Sequence, residues 1–299
     1  MTVFSSIPSP TVSYFDLGPL RIHIYALCIL AGIILATWIT DARLTRRGGE
    51  RGVTLDIILW AVPLGIIAAR FYHVFTHPSD YFFEGANLLK VFYIWEGGNA
   101  IFGALIGGAV GAWIGCRQTG IRFWSFADAL APAMLVAQGV GRLGNYFNQE
   151  LFGQPTDLPW GLEIAYGNPA WPAGLPAGTL FEPTFLYEML WNFAGVAVIL
   201  LLERSVALRW GKAFGIYLLW YGIGRMYFES IRLDPSETFL SIRTNIWAAL
   251  LGAVIGLAII VVQNRRHPGR ELSVYVQGGP TVKLKTTAGT DATSGKVSQ

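Results

Sequence analysis

The sequence predicts an all-α integral membrane protein, a bundle of seven transmembrane helices. Of its 299 residues 53% are hydrophobic and only 14% are charged, whereas soluble domains carry about 25% charged residues. The mean hydropathy is +0.45. Seven apolar segments reach roughly the 20 residues that a helix needs to cross a bilayer. Composition therefore excludes an ordinary soluble domain, and the length suits a single polytopic bundle.

The predicted spans follow one another along most of the chain. The third is rich in glycine, and its Gly103, Gly107 and Gly111 recur every four residues. Small residues at this spacing form a helix face that a neighbouring helix approaches closely. The seven spans cover residues 21–40, 55–75, 99–116, 124–147, 183–203, 213–231 and 244–263.

Basic residues lie mainly in alternate loops. The loop 76–98 holds only Lys90, the loop 151–182 holds no Lys or Arg, and Arg232 and Arg243 stand at the edges of 232–243. Because cytoplasmic loops are enriched in Lys and Arg, this pattern predicts an outside N-terminus and a cytoplasmic C-terminus. The basic residues follow the first span (Arg43, Arg46, Arg47, Arg51), the third (Arg117, Arg122), the fifth (Arg204, Arg209, Lys212) and the seventh (Arg265, Arg266, Arg270).

The chain divides into a membrane unit, residues 1–264, and a polar tail, residues 265–299. The tail is rich in Thr, Gly, Ser and Lys, and we expect it to be disordered in the cytoplasm. On the outer face, the loop 151–182 is rich in proline and aromatic residues. Such a loop either shapes a substrate entrance or simply connects two spans with interfacial tryptophans.

The fourth span ends in an unusually polar stretch, GRLGNYFNQELFG, at residues 141–153. A charge at the middle of a membrane costs at least about 2.5–3.5 kcal/mol, so such a cluster is either tightly paired or functional. Glycines here permit close approach of backbone to a ligand, or only tight packing. The polar residues are Arg142, Asn145, Asn148, Gln149 and Glu150.

The sixth span carries a second charged group in WYGIGRMYFESIRLD. Arg225, Glu229 and Arg232 are spaced i, i+4 and i+7, which places them on one stripe of a helix. One interpretation is an ion-pair network that locks helices together. The other is an anion site, because guanidinium groups bind phosphate in a bidentate manner, and the abundant phosphate in a membrane is a lipid headgroup.

A further buried charge, Arg70, lies in the second span. Its neighbours Phe71 and Tyr72 suggest a cation–π contact, and Asp128 of the fourth span is its most obvious opposite charge. The sequence lacks HExxH, Cys/His and P-loop patterns, so we expect neither a metal nor a cofactor.

The stretch GRLGNYFNQELFG closely resembles the signature of bacterial prolipoprotein diacylglyceryl transferases. The elements RIHIYAL, WEGGNAIFGALIG, EPTFLYE and GIGRMYFESIR occur in the same order, so the resemblance covers most of the chain. It implies seven spans with the N-terminus outside. It also implies transfer of the diacylglyceryl group of phosphatidylglycerol to the lipobox cysteine thiol of a prolipoprotein, with release of glycerol 1-phosphate.

The resemblance further implies partners and roles. The partners would be phosphatidylglycerol, lipobox peptides and the bilayer of the bacterial plasma membrane, with no nucleic acid. Arg142 and Arg225 would hold the lipid phosphate. The other matching positions are Tyr25, Asn145, Asn148, Glu150, Gly153, Glu229 and Arg232.

The chain departs from the enterobacterial pattern at two elements. Phe102 replaces a histidine usually proposed as a base, and Glu182 and Phe185 stand where many members have His and Gln. Three alternatives could replace the histidine base: the carboxylate of Glu150 or Glu229, the hydroxyl of Tyr25, or simple electrostatic activation of the thiol. Our hypothesis is electrostatic activation, with a carboxylate accepting the proton. A transporter for anions and a lipid-binding scaffold are the alternatives from other functional classes.

Overall fold

The computed structural model of the chain describes residues 6–94, 97–98, 100–234, 236–267, 269 and 271–276. This part is mostly helical, and each predicted span corresponds to one α-helix. The helices are α1 (Ile24–Arg46), α2 (Val53–Thr76), α3 (Ile101–Thr119), α4 (Phe123–Asn148), α5 (Thr184–Ser205), α6 (Lys212–Ile231) and α7 (Thr244–Arg266).

Five of these helices, namely α1, α2, α4, α5 and α7, are long and apolar enough to cross a membrane. The other two contain more polar residues: α3 ends in Arg117, Gln118 and Thr119, and α6 includes Arg225 and Glu229. The predicted membrane-length helices are thus confirmed for five segments. A crossing by α3 and by α6 stays a prediction.

Successive helices alternate in direction, so the bundle has two ends. The end where α2, α4 and α6 finish is called the site end, and the end where α1, α3, α5 and α7 finish is called the basic end. The closest neighbours are α2 with α3, α1 with α4, and α6 with α7. Helix α4 is central, because 56% of its apolar 18-residue stretch is buried inside the protein, against 33% or less in the other four membrane-length helices.

Glycines bring α3 against the backbone of α2. A Cβ atom added at Gly103 or Gly107 would lie 2.3 Å from a carbonyl oxygen of α2, and one at Gly111 would lie 2.4 Å from the Trp60 carbonyl oxygen. Only glycine tolerates such distances. The predicted small-residue face of the third span is therefore a helix–helix interface.

Within the described residues, three short antiparallel hairpins lie at the site end, and the longest precedes α1. The loop 151–182 has a hydrophobic cluster of its own, in which Phe152, Leu162 and Phe181 are buried. Residues Ile7 and Leu162 form a parallel bridge, so the N-terminal segment is joined to this loop. The hairpins pair β1 (Tyr14–Leu17) with β2 (Leu20–His23), β3 (Leu162–Glu163) with β4 (Leu180–Phe181), and β5 (Thr238–Phe239) with β6 (Ile242–Arg243).

At the basic end, the fully buried Asp128 of α4 holds the beginning of α6. Its carboxylate accepts hydrogen bonds from the backbone N–H groups of Gly211 (2.8 Å) and Phe214 (3.1 Å). A carboxylate at a helix N-terminus satisfies backbone donors that would otherwise lack partners. Arg47 also forms an ion pair with Asp128, in which Nη1 lies 3.9 Å from Oδ2.

Asp128, the most obvious opposite charge for Arg70 in the sequence, does not contact it. Arg70 lies near the end of α2 and therefore at the site end, whereas Asp128 lies near the beginning of α4. The Arg70 guanidinium donates to the carbonyl oxygens of Val91 (2.8 Å), Gly97 (2.6 Å) and Gly98 (3.2 Å), and to that of Lys90. Its aromatic contact is Tyr81, whose ring centroid is 5.0 Å away, and not Phe71 or Tyr72.

Part of the predicted tail packs onto the bundle. Arg122 N–H donates to the Val274 carbonyl oxygen (2.8 Å), and Val276 N–H donates to that of Gly120 (2.9 Å). The Val274 side chain is almost fully buried. The ordered chain therefore continues past residue 265, and most of the predicted disorder falls on residues 277–299, outside the described residues.

Replacing Gly107 with alanine should destabilise the protein by about 1–3 kcal/mol, because the added methyl group overlaps the α2 backbone. The matched control is Gly108→Ala, since a Cβ atom there meets nothing closer than 3.9 Å. Thermal unfolding in detergent measures both. Equal melting temperatures for the two variants would contradict the interface assigned to Gly107.

Candidate active site

The polar stretch at the end of α4 is shaped by a change of backbone direction. The helix ends at Asn148, and Gln149 adopts the left-handed conformation (φ 52°). The Gln149 side chain donates to the Pro10 carbonyl oxygen (2.8 Å) and accepts from Ala165 N–H (2.9 Å). Gln149 thus joins the N-terminal segment to the loop 151–182.

Arg142 is held by a carboxylate that sequence reasoning missed. Its Nη2 lies 2.6 Å from Oε2 of Glu188, a residue of α5, and both side chains are largely buried. Its Nη1 donates to Asn145 Oδ1 at 3.4 Å. Glu188 ends the element EPTFLYE, and a charge inside an apolar span was the signal that could have identified it.

Glu150 folds back toward α4 because of the left-handed turn at Gln149. Its Oε1 accepts hydrogen bonds from the side-chain amides of Asn145 (2.8 Å) and Asn148 (3.4 Å). The structure therefore brings together Arg142, Asn145, Asn148 and Glu150, as the sequence predicted. The two asparagines act as donors to a carboxylate.

Tyr25 reaches this group from the beginning of α1. A Cβ atom added at Gly144 would lie 2.4 Å from Cδ2 of the Tyr25 ring, so the ring rests directly on the α4 backbone. In this position Tyr25 lies within electrostatic range of Glu150 and Arg142. The role of Gly144 is to admit this ring.

The second charged group centres on Glu229, whose side chain is fully buried. Its Oε2 lies 2.8 Å from Arg225 Nη2 and 3.5 Å from Arg232 Nη1. Its Oε1 lies 3.3 Å from Arg243 Nη1 and accepts a hydrogen bond from Asn245 Nδ2 (2.9 Å). The predicted stripe exists, and the hairpin before α7 adds Arg243 while α7 adds Asn245, both of which sequence reasoning missed.

Arg232 connects the two groups electrostatically. It makes a bidentate contact with Asp234, at 2.7 and 2.9 Å. Burial opposes its charge, but Asp234, Glu229 and Glu188 together raise the pKa of Arg232, so the guanidinium stays charged. Glu188, the partner of Arg142, is therefore one of the charges that act on Arg232.

A small cleft between α5 and α6 has both Glu188 and Arg225 in its wall. Beside it, Trp191 and Trp220 stack with ring centroids 4.3 Å apart, and each indole N–H donates to the other residue's carbonyl oxygen. Each of the two guanidinium groups, Arg142 and Arg225, is therefore positioned by a buried carboxylate at the same end of the bundle. Such an arrangement is suited to binding a phosphate group.

Comparison with known proteins decides the family. The sequence profile described as "Prolipoprotein diacylglyceryl transferase" matches residues 12–262. The chain belongs to the prolipoprotein diacylglyceryl transferase family.

Individual relatives of the family are similar over nearly their whole length. The phosphatidylglycerol–prolipoprotein diacylglyceryl transferase of Leifsonia xyli is 61% identical over 285 residues, which cover 92% of this chain and 85% of the relative. The corresponding transferase 2 of Streptomyces coelicolor is 46% identical, with 91% and 85% covered. The Paenarthrobacter aurescens transferase is 48% identical, with 87% and 84% covered.

The positions at which this family member departs from the enterobacterial pattern take part in packing. The Phe185 ring stacks on Tyr146, with centroids 4.5 Å apart, and the Phe102 ring lies 6.3 Å from that of Tyr72. The Glu182 side chain rests against Gly153, whose N–H donates to the Glu182 carbonyl oxygen (3.0 Å). Gly153 also forms a β-bridge with Arg232, which joins the end of the polar stretch to the Glu229 group.

The contact between Arg142 and Glu188 should appear as strong coupling in a double-mutant cycle. Glu188→Gln or Arg142→Gln alone leaves one buried charge without its partner, at a cost of about 3–5 kcal/mol, and the double variant should lose much less than the sum. Unfolding free energies in detergent give the coupling. The control is the exposed pair Arg21–Asp16 (3.1 Å), for which we expect a coupling near zero. Additive effects of the Arg142 and Glu188 substitutions would refute the contact.

Proposed function

We propose that the chain is a phosphatidylglycerol–prolipoprotein diacylglyceryl transferase. It transfers the diacylglyceryl group of phosphatidylglycerol to the lipobox cysteine thiol of a prolipoprotein, forms a thioether, and releases glycerol 1-phosphate. This is the first step of bacterial lipoprotein maturation. The observation that carries the proposal is the placement of Arg142 and Arg225 at one end of the bundle, each held by a buried carboxylate, in a chain of this family.

The proposal includes a membrane topology. All seven helices cross the plasma membrane of a bacterium, with the N-terminus and the site end on the outer face. Residues 1–264 form the catalytic unit, the loop 151–182 covers its outer mouth, and residues 265–299 form the cytoplasmic end. The arginines at the ends of α1, α3, α5 and α7 support this orientation.

The lipid phosphate would bind between the two arginines. A guanidinium group has five N–H donors, so Arg142 and Arg225 can contact both a fixed carboxylate and an incoming phosphate. Glu188 and Glu229 would prevent the arginines from reorienting when the lipid arrives. Arg232 adds positive charge, Asn145 and Asn148 supply amide donors, and Gly153 keeps the adjacent backbone close to the site.

The reaction replaces one bond with another at a glyceryl carbon. The cysteine sulfur attacks that carbon with its electron pair, the carbon–oxygen bond to the phosphate breaks, and the electron pair of that bond leaves with glycerol 1-phosphate. Arg142 and Arg225 would stabilise the charge that develops on the leaving phosphate. The same positive charge would lower the pKa of the thiol, normally about 8.5, and so favour the thiolate.

The surroundings of the two glutamates favour Glu150 as the proton acceptor. Both oxygens of Glu229 already contact guanidinium or amide groups, so this carboxylate is a counter-ion. Glu150 receives neutral amide donors at one oxygen and lies near Tyr25. We therefore assign electrostatic activation to the arginines and proton acceptance to Glu150.

A reconstitution experiment tests the function. The purified protein in vesicles of phosphatidylglycerol is mixed with a lipobox peptide, and both glycerol phosphate and the mass of the peptide are measured. The proposal requires both products in equal amount. Transport of an anion without either product would support a transporter, and peptide or lipid binding without product would support a scaffold.

Changing Arg142 to lysine should lower kcat/KM roughly 100-fold or more, because the charge remains but the bidentate donors are lost. Arg21→Lys, an exposed arginine at the same end, is the control and should keep normal activity. The assay is thioether formation over a range of lipid concentrations, from which kcat/KM is obtained. Normal activity of the Arg142 variant would exclude a phosphate-clamp role.

The two glutamates should differ when each is changed to glutamine. Glu150→Gln should lower kcat with little change in the melting temperature, because a proton acceptor is lost and the amide keeps its shape. Glu229→Gln should also lower the melting temperature, since three arginines lose their shared counter-ion. Near-normal thioether formation by both variants would show that no carboxylate is needed.

Gly144→Ala should reduce activity by displacing the Tyr25 ring from α4. Gly141→Ala is a matched control on the same helix, because a Cβ atom there has no neighbour within 4 Å. Activity and melting temperature are measured for both variants. If Gly144→Ala and Gly141→Ala have the same kcat, the placement of Tyr25 does not matter for the reaction.

A further inference from the structure

A second group of arginines lines a cavity at the basic end, far from the site described above. The cavity has a volume of about 710 Å³, which lies within the usual range for small-molecule sites, roughly 300–1,000 Å³. Its wall is formed by the ends of α1 and α5 and by the loop after α5. The arginines that line it are Arg43, Arg46, Arg47, Arg204 and Arg209.

The carboxylates in the cavity do not balance these charges. Arg43 and Arg47 share one partner, Glu203, at 2.7 and 2.6 Å. The other acidic residue of the wall, Glu271, contacts Ser125 and Arg122, outside the cavity. The wall holds five arginines and two glutamates, and counting Asp128, which pairs with Arg47, leaves an excess of two positive charges.

Three of the arginines are available to a ligand. Among the described residues, the side chains of Arg46, Arg204 and Arg209 form neither an ion pair nor a hydrogen bond. Arginines at the C-terminal ends of helices also interact favourably with the helix dipole. That effect accounts for Arg46 and Arg204, but it does not account for Arg209, which follows the end of α5.

Arg47 provides an independent indication. Only 7% of its side chain is exposed, and its Nη1 has no hydrogen-bond acceptor within the described part of the chain. Oδ2 of Asp128 is 3.9 Å from Nη1, too far for a hydrogen bond. A buried donor without an acceptor costs about 1–3 kcal/mol, more when charged, and burial lowers the pKa of Arg47.

We propose that this cavity is a second anion site, which binds a phosphate group through Arg46, Arg204 and Arg209 with Arg47 behind them. The phosphate is carried either by an anionic lipid headgroup of the adjacent leaflet or by a water-soluble phosphate. Guanidinium groups suit both, and basic pockets between membrane helices bind lipid headgroups in this manner. The proposal does not depend on the reaction at the opposite end.

The test compares two triple variants with the wild-type protein. The cavity variant is Arg46→Gln/Arg204→Gln/Arg209→Gln. The control variant, Arg51→Gln/Arg265→Gln/Arg266→Gln, removes the same charge from the same end at exposed positions outside the cavity wall. Neither variant changes the site that holds Arg142, and unchanged melting temperatures establish that both are folded.

Two probes distinguish the sources of the phosphate. Native mass spectrometry of protein released from nanodiscs of phosphatidylcholine and phosphatidylglycerol counts retained phosphatidylglycerol. Radiolabelled inorganic phosphate, added to nanodiscs of phosphatidylcholine alone, measures binding of the free ion. The proposal requires one of two results for the cavity variant relative to the control variant. Either it retains one phosphatidylglycerol molecule fewer, since the lipid bound at the Arg142 site is kept in both, or it binds inorganic phosphate at least tenfold more weakly.

Loss of lipid retention identifies a headgroup site, and loss of phosphate binding identifies a site for a soluble ion. Equal losses in both variants would show general attraction to positive charge and would overturn the proposal. Unchanged binding of both probes in the cavity variant would overturn it as well.

Discussion

The buried carboxylate of Glu229 is the constraint on which the site end depends. Three guanidinium groups contact it, from the last turns of α6 and from the hairpin before α7. Without a shared negative charge these cations would repel one another in a region of low dielectric constant. One side chain therefore fixes the end of α6, the hairpin and the beginning of α7 as a single unit, and Arg225 takes its position from that unit.

Local patterns in the sequence revealed the helices and the charged stripe, because both depend on periodicity and composition. The 3.6-residue repeat placed Arg225, Glu229 and Arg232 on one face, and the structure confirms it. Contacts between segments that are distant in the sequence leave no periodic pattern of this kind. Glu188 meets Arg142 only because α5 packs beside α4. Arg243 and Asn245 meet Glu229 only because the hairpin and α7 pack beside α6, so the sequence could not assign these pairs. Arg70 and Asp128 carry opposite charges but do not meet, because Arg70 lies near the end of α2 and Asp128 near the beginning of α4.

Helix α4 carries charged contacts at both of its ends and so couples the two halves of the bundle. Asp128 near its beginning holds the first turn of α6 and one arginine of the basic end. Arg142 near its end is held by α5. Because α4 is the most buried helix, these contacts lie in low dielectric and tolerate little displacement. The glycines of α3 hold α3 against α2 in a different way, by close contact of the two backbones without any charge.

The attachment of α6 at both ends has a consequence for its relation to the lipid. Asp128 holds its first turn and Glu229 its last, so a vertical shift of α6 would break contacts of two fully buried carboxylates. A membrane helix whose apolar length does not match the thickness of the bilayer tilts, kinks, or changes the local thickness of the bilayer. In the proposed topology, in which α6 crosses the membrane, tilting would be unfavourable, and the surrounding lipid would stretch or compress around the helix instead. The depth of Arg225 relative to the headgroups would then be set by the protein rather than by the thickness of the membrane.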